Sequence, residues 1–208
     1  MTARTAWRPV AARAASLLLR YPDDEVLAAV PTITAALDGL PPGVAAPLRL
    51  VAEHRGGDAG RLAAEYVELF DFRRRCCLHL TYYTCGDTRR RGEALVLFAA
   101  GYKAAGLELV DGELPDYLPA VLDLAAAPDP AADHGWRLLR ENRIGLDLLS
   151  GALDGSVYRH AIEAVRAMLP PAQPGDLAAA VRLARTGPPV EQVGLEPFGL
   201  VDTTGGRR

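Results

Sequence analysis

The spacing of apolar residues is the feature that most restricts the fold of this chain. Apolar residues recur three and four positions apart, the period of an amphipathic helix, and proline or glycine separates one such segment from the next. The clearest segment begins at Asp58 and ends at Phe70, and the residues on its apolar face are Leu62, Tyr66, Leu69 and Phe70. Runs of alternating β-branched residues are absent, which disfavours strands. The sequence therefore predicts an all-α fold, a single globular multi-helix bundle.

The same period sets the expected helices, roughly eight to ten of ordinary length. We predict them at 6–20, 22–37 with a bend or break at Pro31, 44–54, 58–70, 87–105, 117–124, 136–153, 158–169 and 177–184. In the first helix, Trp7, Val10, Ala14 and Leu17 or Leu18 form the predicted core face. Asp87 is the predicted N-cap of the long fifth helix. The helical pattern loosens between residues 71 and 86.

Length and composition indicate one domain built from small apolar side chains. Half of the 208 residues are apolar but only 6% are aromatic, so the core must come mostly from Leu, Val and Ala. We place the helical domain at residues 1–185 and expect a mobile tail at 186–208, where glycine and proline are frequent. No convincing signal peptide begins the sequence, and no run approaches the roughly 20 apolar residues of a membrane span. The net charge of −3 argues against a general nucleic-acid binder.

The stretch from Tyr66 to Pro119 holds all three cysteines and both arginine triplets. Cys76, Cys77 and Cys85 with His79 lack the paired spacing of a structural zinc site, and no third group is placed to orient a cysteine nucleophile. An odd cysteine count with two adjacent thiols does not suit a disulfide framework. We therefore expect reduced, buried thiols in a cytoplasmic protein, with no metal and no catalytic residues.

The arginine triplet Arg89–Arg91 stands at the predicted start of a helix, where the helix dipole disfavours positive charge. Two explanations are open. Internal carboxylates can pair with these guanidinium groups, and the candidates are Glu65, Glu68, Asp71 and Glu93. Alternatively, the helix start and its guanidinium groups form a seat for an external anion such as a phosphate or carboxylate.

Two long blocks of this stretch carry a family resemblance. YVELFDFRRRCCLHLTYYTCGDTRRRGEAL, followed by GELPDYLPAVLDLAA, closely resembles the NarJ-type nitrate reductase assembly chaperones. These belong to the all-helical maturation chaperones that include the TorD and DmsD types. The resemblance implies a cytoplasmic chaperone that binds the apo catalytic (alpha) subunit of respiratory nitrate reductase through its N-terminal segment. It would assist molybdenum cofactor insertion and complex assembly before membrane docking, without binding the cofactor stably itself. Molybdenum cofactor delivery proteins are further candidate partners.

The resemblance also places a peptide site. The wider group carries a Glu-Pro-Asp-His-like motif between two helices, and Glu113-Leu114-Pro115-Asp116-Tyr117 occupies that place here, with an extra Leu114 and a Tyr in place of His. The predicted client-peptide residues are Tyr66, Phe70, Tyr82, Tyr83, Glu113, Pro115, Asp116, Tyr117 and Leu118. Arg89, Arg90 and Arg91 form the predicted charged rim. Glu113 and Asp116 are expected to meet basic residues of the client, and the aromatic residues its apolar face.

Two other functions remain open at this point. The first is a small-molecule or cofactor-binding protein, or a weak enzyme, that uses Arg89–Arg91 as an anion seat; a co-purifying nucleotide or pterin would indicate it. The second is a scaffold subunit retained in the mature enzyme, which would persist in purified, active nitrate reductase.

Overall fold

The predicted all-α class is confirmed by the computed structural model, which describes residues 6–109 and 112–189. These residues form eleven α-helices and no strand. The helices are α1 (Arg8–Leu19), α2 (Asp24–Ala36), α3 (Pro42–Arg55), α4 (Ala59–Tyr66), α5 (Tyr82–Cys85), α6 (Arg89–Ala104), α7 (Leu118–Ala125), α8 (Ala131–Glu141), α9 (Arg143–Ala152), α10 (Tyr158–Ala167) and α11 (Pro174–Thr186). Within the described ranges, none is long and apolar enough to cross a bilayer.

Helix α1 lies at the centre of the bundle, in contact with α2, α3, α7 and α10. Its buried residues are mostly alanines, whose short side chains let the neighbouring helices approach closely. Ser16 adds a hydrogen bond from its hydroxyl to the carbonyl oxygen of Pro119 in the first turn of α7, at 2.9 Å. The core face predicted for this helix was partly wrong, because Val10 is 42% exposed. The surrounding helices contact the alanine face instead.

Two aspartates cap helices as their positions in the sequence suggest. Asp23 accepts a hydrogen bond from the backbone N–H of Val26 at 2.8 Å, and Asp58 accepts one from that of Arg61 at 2.9 Å. The predicted cap at Asp87 was wrong, because α6 begins two residues later, at Arg89. The carboxylate of Asp87 is instead committed to ion pairs with two arginines, as described below.

Helix α2 passes through Pro31 without a break, so the break, one of the two predicted alternatives, was wrong. A proline inside a helix removes one backbone hydrogen bond, and this loss is local. Val30 and Ile33, on either side of Pro31, are both buried. Their packing against the bundle holds the helix together across the missing bond.

The predicted helix at 136–153 is divided into α8 and α9 at Asn142. The side-chain amide of Asn142 donates to the carbonyl oxygen of Leu138 at 2.9 Å, so it takes part in the end of α8. Asparagine competes with the backbone for hydrogen bonds in this way, which favours a helix end. Similarly, α4 is shorter than the predicted helix 58–70 because the chain continues as a π-helical turn at Val67–Asp71.

Candidate functional site

The two blocks of the central stretch are joined by a short antiparallel bridge. The backbone N–H of Leu80 donates to the carbonyl oxygen of Asp116 at 3.0 Å, and that of Leu118 donates to the carbonyl oxygen of Leu78 at 2.8 Å. The bridge fixes the start of α7 against the segment that leads into α5. Residues 35 or more positions apart in the sequence are thereby held in one register.

The side chain of Asp116 reinforces this bridge from inside. It is fully buried and accepts hydrogen bonds from the backbone N–H of Thr81 at 3.1 Å, the hydroxyl of Thr81 at 2.5 Å and Nδ1 of His79 at 3.2 Å. Burial alone would raise the pKa of Asp116, but the hydrogen bonds from His79 and Thr81 outweigh it, and the pKa lies below its usual value. A carboxylate in this position holds the chain together and has no exposed surface, whereas the sequence predicted that Asp116 contacts the client peptide.

Tyr66 and Phe70 lie in an aromatic cluster of the core. Both are buried, with ring centroids 4.6 Å apart, and Phe70 lies edge-on to Tyr158 at 5.1 Å. The hydroxyl of Tyr66 donates to the carbonyl oxygen of Leu19 at 3.0 Å and lies 3.3 Å from that of Tyr117. Burial raises the pKa of Tyr66 well above its usual range. Leu118 is also fully buried, so these predicted site residues belong to the interior.

A buried arginine that sequence reasoning did not single out supports the same cluster. Arg55 is 1% exposed and donates to the carbonyl oxygens of Leu18 and Arg20, at 2.8 and 2.5 Å, where α1 ends. Its guanidinium group also lies over the ring of Tyr158 at 5.1 Å. Desolvation lowers the pKa of Arg55, and nearby tyrosines oppose that change. The helix C-terminus, with its partial negative charge, takes the place of a carboxylate partner.

An apolar cavity of about 430 Å³ lies among α5, α9 and α11. Its lining consists of Arg75, Tyr82, Tyr83, Asp147, Leu148, Gly151, Ala152, Ala180, Val181, Leu183, Ala184, Gly187 and Pro188. Of the nine predicted peptide-binding residues, the structure brings only Tyr82 and Tyr83 to this cavity. The opposite walls were not predicted from the sequence, because α9 and α11 are plain apolar helices outside the two blocks.

Tyr83 is the rigid part of the cavity wall. Its hydroxyl donates to the carbonyl oxygens of Arg75 and Cys77, at 2.9 and 2.8 Å, and its ring is buried. Burial raises the pKa of Tyr83 far above its usual range, so the phenol stays protonated. Tyr82 is only half-buried and lies edge-on to Tyr83, with ring centroids 5.6 Å apart. Tyr82 therefore lines the cavity with a half-buried ring that packs on the buried ring of Tyr83.

The remaining predicted contacts lie on the segment that leads to α7. Glu113, Pro115 and Tyr117 are half-buried, and none of them lines the cavity. The ring of Tyr117 lies 5.7 Å from that of His79, across the bridge. These residues keep some surface available, but the structure does not bring them together with Tyr82.

Part of the arginine triplet has internal partners. Nη1 of Arg91 lies 3.2 Å from Asp87, Nη2 of Arg91 lies 4.0 Å from Asp116, and Arg74 also pairs with Asp87. The structure thus favours the internal explanation for Arg91, although the carboxylates are not the four expected ones. Glu68, one of those four, pairs with Arg73 instead, at 3.5 Å.

The cysteines are free thiols in the structure. Cys76 is buried and Cys77 half-buried, and burial raises the pKa of both thiols, which makes them poor nucleophiles. Cys85 is also half-buried. Among residues 6–109 and 112–189, no three histidine, cysteine or acidic side chains are grouped as metal ligands would be.

Comparison with known proteins agrees with the fold and the two blocks. Residues 23–140 match the family model described as the nitrate reductase delta subunit. The nitrate reductase-like protein NarX of Mycobacterium tuberculosis is 40% identical over 161 residues, which are 76% of this chain and 24% of the relative. The Bacillus subtilis protein named "Probable nitrate reductase molybdenum cofactor assembly chaperone NarJ" is 32% identical over 124 residues, 59% of this chain and 67% of the relative.

One solved structure supports the architecture independently. The crystal structure of an Archaeoglobus fulgidus protein described as a redox enzyme maturation protein superposes with a TM-score of 0.56 and 21% identity. The match covers 77% of this chain and 92% of that one. At this identity the likeness concerns the fold alone. The chain spans about a quarter of the length of NarX, so the activity of that whole protein does not transfer to it.

Proposed function

Because the chain belongs to the nitrate reductase delta subunit family, we propose that it is an assembly chaperone for a respiratory nitrate reductase. In this proposal it binds the apo catalytic subunit in the cytoplasm, through the N-terminal segment of that subunit. It keeps the subunit open while the molybdenum cofactor is inserted, and it leaves before the complex docks on the membrane. The chain itself holds no cofactor and performs no bond chemistry.

The observation that carries the proposal is the apolar cavity beside Tyr82 and Tyr83. A peptide that folds as an amphipathic helix on binding needs a groove that accepts its apolar face and leaves its polar face in water. A volume of about 430 Å³, lined mostly by Ala, Leu and Tyr side chains, provides such a surface. Aromatic residues such as Tyr82 bury a large area at little cost in side-chain entropy, which suits a binding anchor.

The other predicted site residues take two different roles. Asp116, Tyr66, Phe70 and Leu118 are interior residues, and we assign them to holding the two blocks in position. Glu113, Pro115 and Tyr117 keep exposed surface and remain candidate contacts at the edge of the complex, where a charge would set the register of a basic client segment.

Deletion of the gene tests this function. We expect a catalytic subunit that is produced in normal amount but lacks molybdenum, measured by elemental mass spectrometry, and that has no nitrate reductase activity. Wild-type chain supplied in trans should restore the molybdenum content. Full molybdenum content in the deletion strain would refute the proposal.

A pair of tyrosine variants then tests the location of the site. Tyr82→Ala, which removes the exposed wall of the cavity, should restore less than about a tenth of the molybdenum, since a central aromatic anchor commonly contributes 2 kcal/mol or more of binding energy. Tyr21→Ala is the matched control, because Tyr21 is also partly exposed but packs on Tyr66, outside the cavity. Equal restoration by the two variants would place the site elsewhere.

A further inference from the structure

The last described helix, α11, lies on the surface of the bundle. It is the only α-helix within the described residues that has no buried residue. Its side chains hydrogen-bond only within the segment, from Thr186 to Arg182 and between Gln173 and Asp176. Across the described part of the chain, no hydrogen bond or ion pair joins residues 174–186 to another helix.

The attachment changes abruptly just before this helix. Nη1 of Arg143 donates to the carbonyl oxygen of Pro170 at 2.7 Å, which fixes the end of the preceding segment. The next residues, Pro171-Ala172-Gln173, form a connection that is not helical before α11 begins at Pro174. Helix α11 is therefore tethered at its N-terminal end and held over its length mainly by apolar contact with α9.

The cavity lies directly beneath this helix. Its α11 wall is formed by Ala180, Val181, Leu183 and Ala184, with Gly187 just beyond, a spacing that presents one side of a helix. The facing wall comes from α5 and α9. Because about 430 Å³ stays unfilled between the two walls, α11 forgoes many of the dispersion contacts that a well-fitted helix would make.

A buried acceptor is also left without a partner on Asp147, one of the residues that line the cavity. Oδ1 of Asp147 accepts from Nε of Arg166 at 2.6 Å and lies 3.4 Å from Nε of Arg143. Oδ2 of Asp147 has no hydrogen-bond partner among the described residues, although the side chain is only 8% exposed. Helix α11 presents only apolar side chains here, so it does not satisfy this oxygen.

We propose that α11 is an internal competitor, which occupies the groove incompletely and is displaced when the client's N-terminal segment docks there as an amphipathic helix. This proposal rests on the proposed function and identifies the form of the bound partner. A helix already seated on the groove shows that the groove accepts a helix, and the unfilled volume shows that a better-fitting one has room. The client helix would present small and medium apolar residues and one neutral hydrogen-bond donor, since two arginines already balance the charge of Asp147.

The first experiment uses isothermal calorimetry, with the full chain and a synthetic peptide of the catalytic subunit's N-terminal segment. Leu183→Asp places a charge on the cavity side of α11, which should make α11 occupy the groove less of the time. Because α11 competes with the peptide for the groove, the apparent affinity for the peptide should then rise by on the order of fivefold. Leu177→Asp is the matched control: Leu177 lies on the same helix, is 51% exposed and does not line the cavity. It should leave the affinity unchanged within about twofold.

The second experiment follows hydrogen exchange by mass spectrometry while the peptide binds to the wild-type chain. A helix of 13 residues is marginal on its own, so displaced α11 should exchange its amide hydrogens faster, while α9 becomes protected. If the peptide instead fills the cavity beneath a fixed α11, exchange in α11 should slow down.

The outcomes separate this inference from the function on which it rests. Slower exchange in α11, or equal or weaker binding by Leu183→Asp, would overturn the competitor role and leave the chaperone function standing. A peptide that binds neither wild-type nor variant chain would overturn both the inference and N-terminal recognition. Tighter binding by Leu183→Asp but not Leu177→Asp, with faster exchange in α11, would establish the proposal.

Discussion

Replacing Asp116 with Asn is the most informative test of how the two blocks are held together. The carboxylate of Asp116 receives three hydrogen bonds from His79 and Thr81, and the nearest guanidinium nitrogen of Arg91 lies 4.0 Å away. Asparagine has nearly the same shape but only one acceptor oxygen. Its amide group therefore presents N–H donors to one of the groups that now donate to Asp116, and the negative charge that attracts Arg91 is lost.

The expected cost follows from these contacts. A hydrogen bond to a charged group contributes about 1.5–3 kcal/mol, and a buried donor left unsatisfied costs about 1–3 kcal/mol. The hydroxyl of Thr81 can rotate and recover part of this, so we expect a loss of about 3 kcal/mol in the free energy of unfolding. For a chain of 208 residues this corresponds to a fall in Tm of roughly 6–12 °C.

Urea unfolding followed by circular dichroism at pH 7 measures this loss. Asp87→Asn is the matched control, because Asp87 also pairs with Arg91 but is half-exposed. Exposed pairs are screened by water, so this control should lose less than about 1 kcal/mol. If Asp116→Asn destabilised the fold no more than Asp87→Asn, the hydrogen bonds to the buried carboxylate of Asp116 would not be what holds the two blocks together.

The comparison of the wild-type chain with Asp116→Asn also predicts how the difference in stability changes with pH. Folding lowers the pKa of Asp116 below its usual value of 3.8, so the stability contributed by the carboxylate is fully present above that value and is lost as the pH falls toward the lower pKa of the folded state. The difference in stability between wild type and Asp116→Asn should therefore hold near neutral pH and narrow as the pH falls below about 4. A difference that widens in acid would contradict the direction of the shift.

Two further substitutions test the packing. Gly135→Ala should destabilise the fold by about 3 kcal/mol in urea unfolding, because a Cβ atom there would lie 2.3 Å from the backbone nitrogen of Ala125, and α8 would have to move off α7. Tyr83→Phe should lose about 1–3 kcal/mol in the same assay, because the carbonyl oxygens of Arg75 and Cys77 lose their shared donor.

Each of these substitutions has a control in the chain. Gly92→Ala lies in α6 with open space around the new methyl group, so it should be neutral or stabilise the fold by up to about 1 kcal/mol. Tyr82→Phe removes a hydroxyl with no partner among the described residues and should change stability by less than about 0.5 kcal/mol. A Gly135 variant as stable as the Gly92 variant, or a Tyr83 variant as stable as the Tyr82 variant, would contradict the packing described here.

The helices were predictable because their apolar faces are local patterns. The face formed by Leu62, Tyr66, Leu69 and Phe70 is buried as the spacing predicts. The bounds were less accurate where a side chain or a tertiary contact competes with the local signal. Asn142 ends a helix that periodicity alone continues, and packing keeps α2 intact across Pro31.

The roles of individual site residues were much harder to predict. An acid after proline at a helix start is typical of an exposed first turn, and nothing local shows that Asp116 meets Thr81, 35 positions earlier. Arg55 likewise finds its carbonyl partner 37 positions away, at Leu18. The chemistry of such buried polar groups depends on which distant backbone atoms the fold brings to them, and sequence spacing does not contain that information.

Helix α11 ends at Thr186, and the assignment of residues 1–185 to one domain stays a prediction. Residues 190–208, most of the predicted tail, lie outside the described residues, so its mobility stays a prediction.

The central claim is that this chain holds an immature catalytic subunit, and affinity capture tests it most directly. The tagged chain is purified from cells that are assembling nitrate reductase, and the molybdenum content of any captured catalytic subunit is measured. We predict capture of the catalytic subunit with far less than one molybdenum per chain, and no tagged chain in the active enzyme purified from the membrane. Recovery of the tagged chain in equal amount with active, fully loaded enzyme would contradict the account and identify a retained subunit instead.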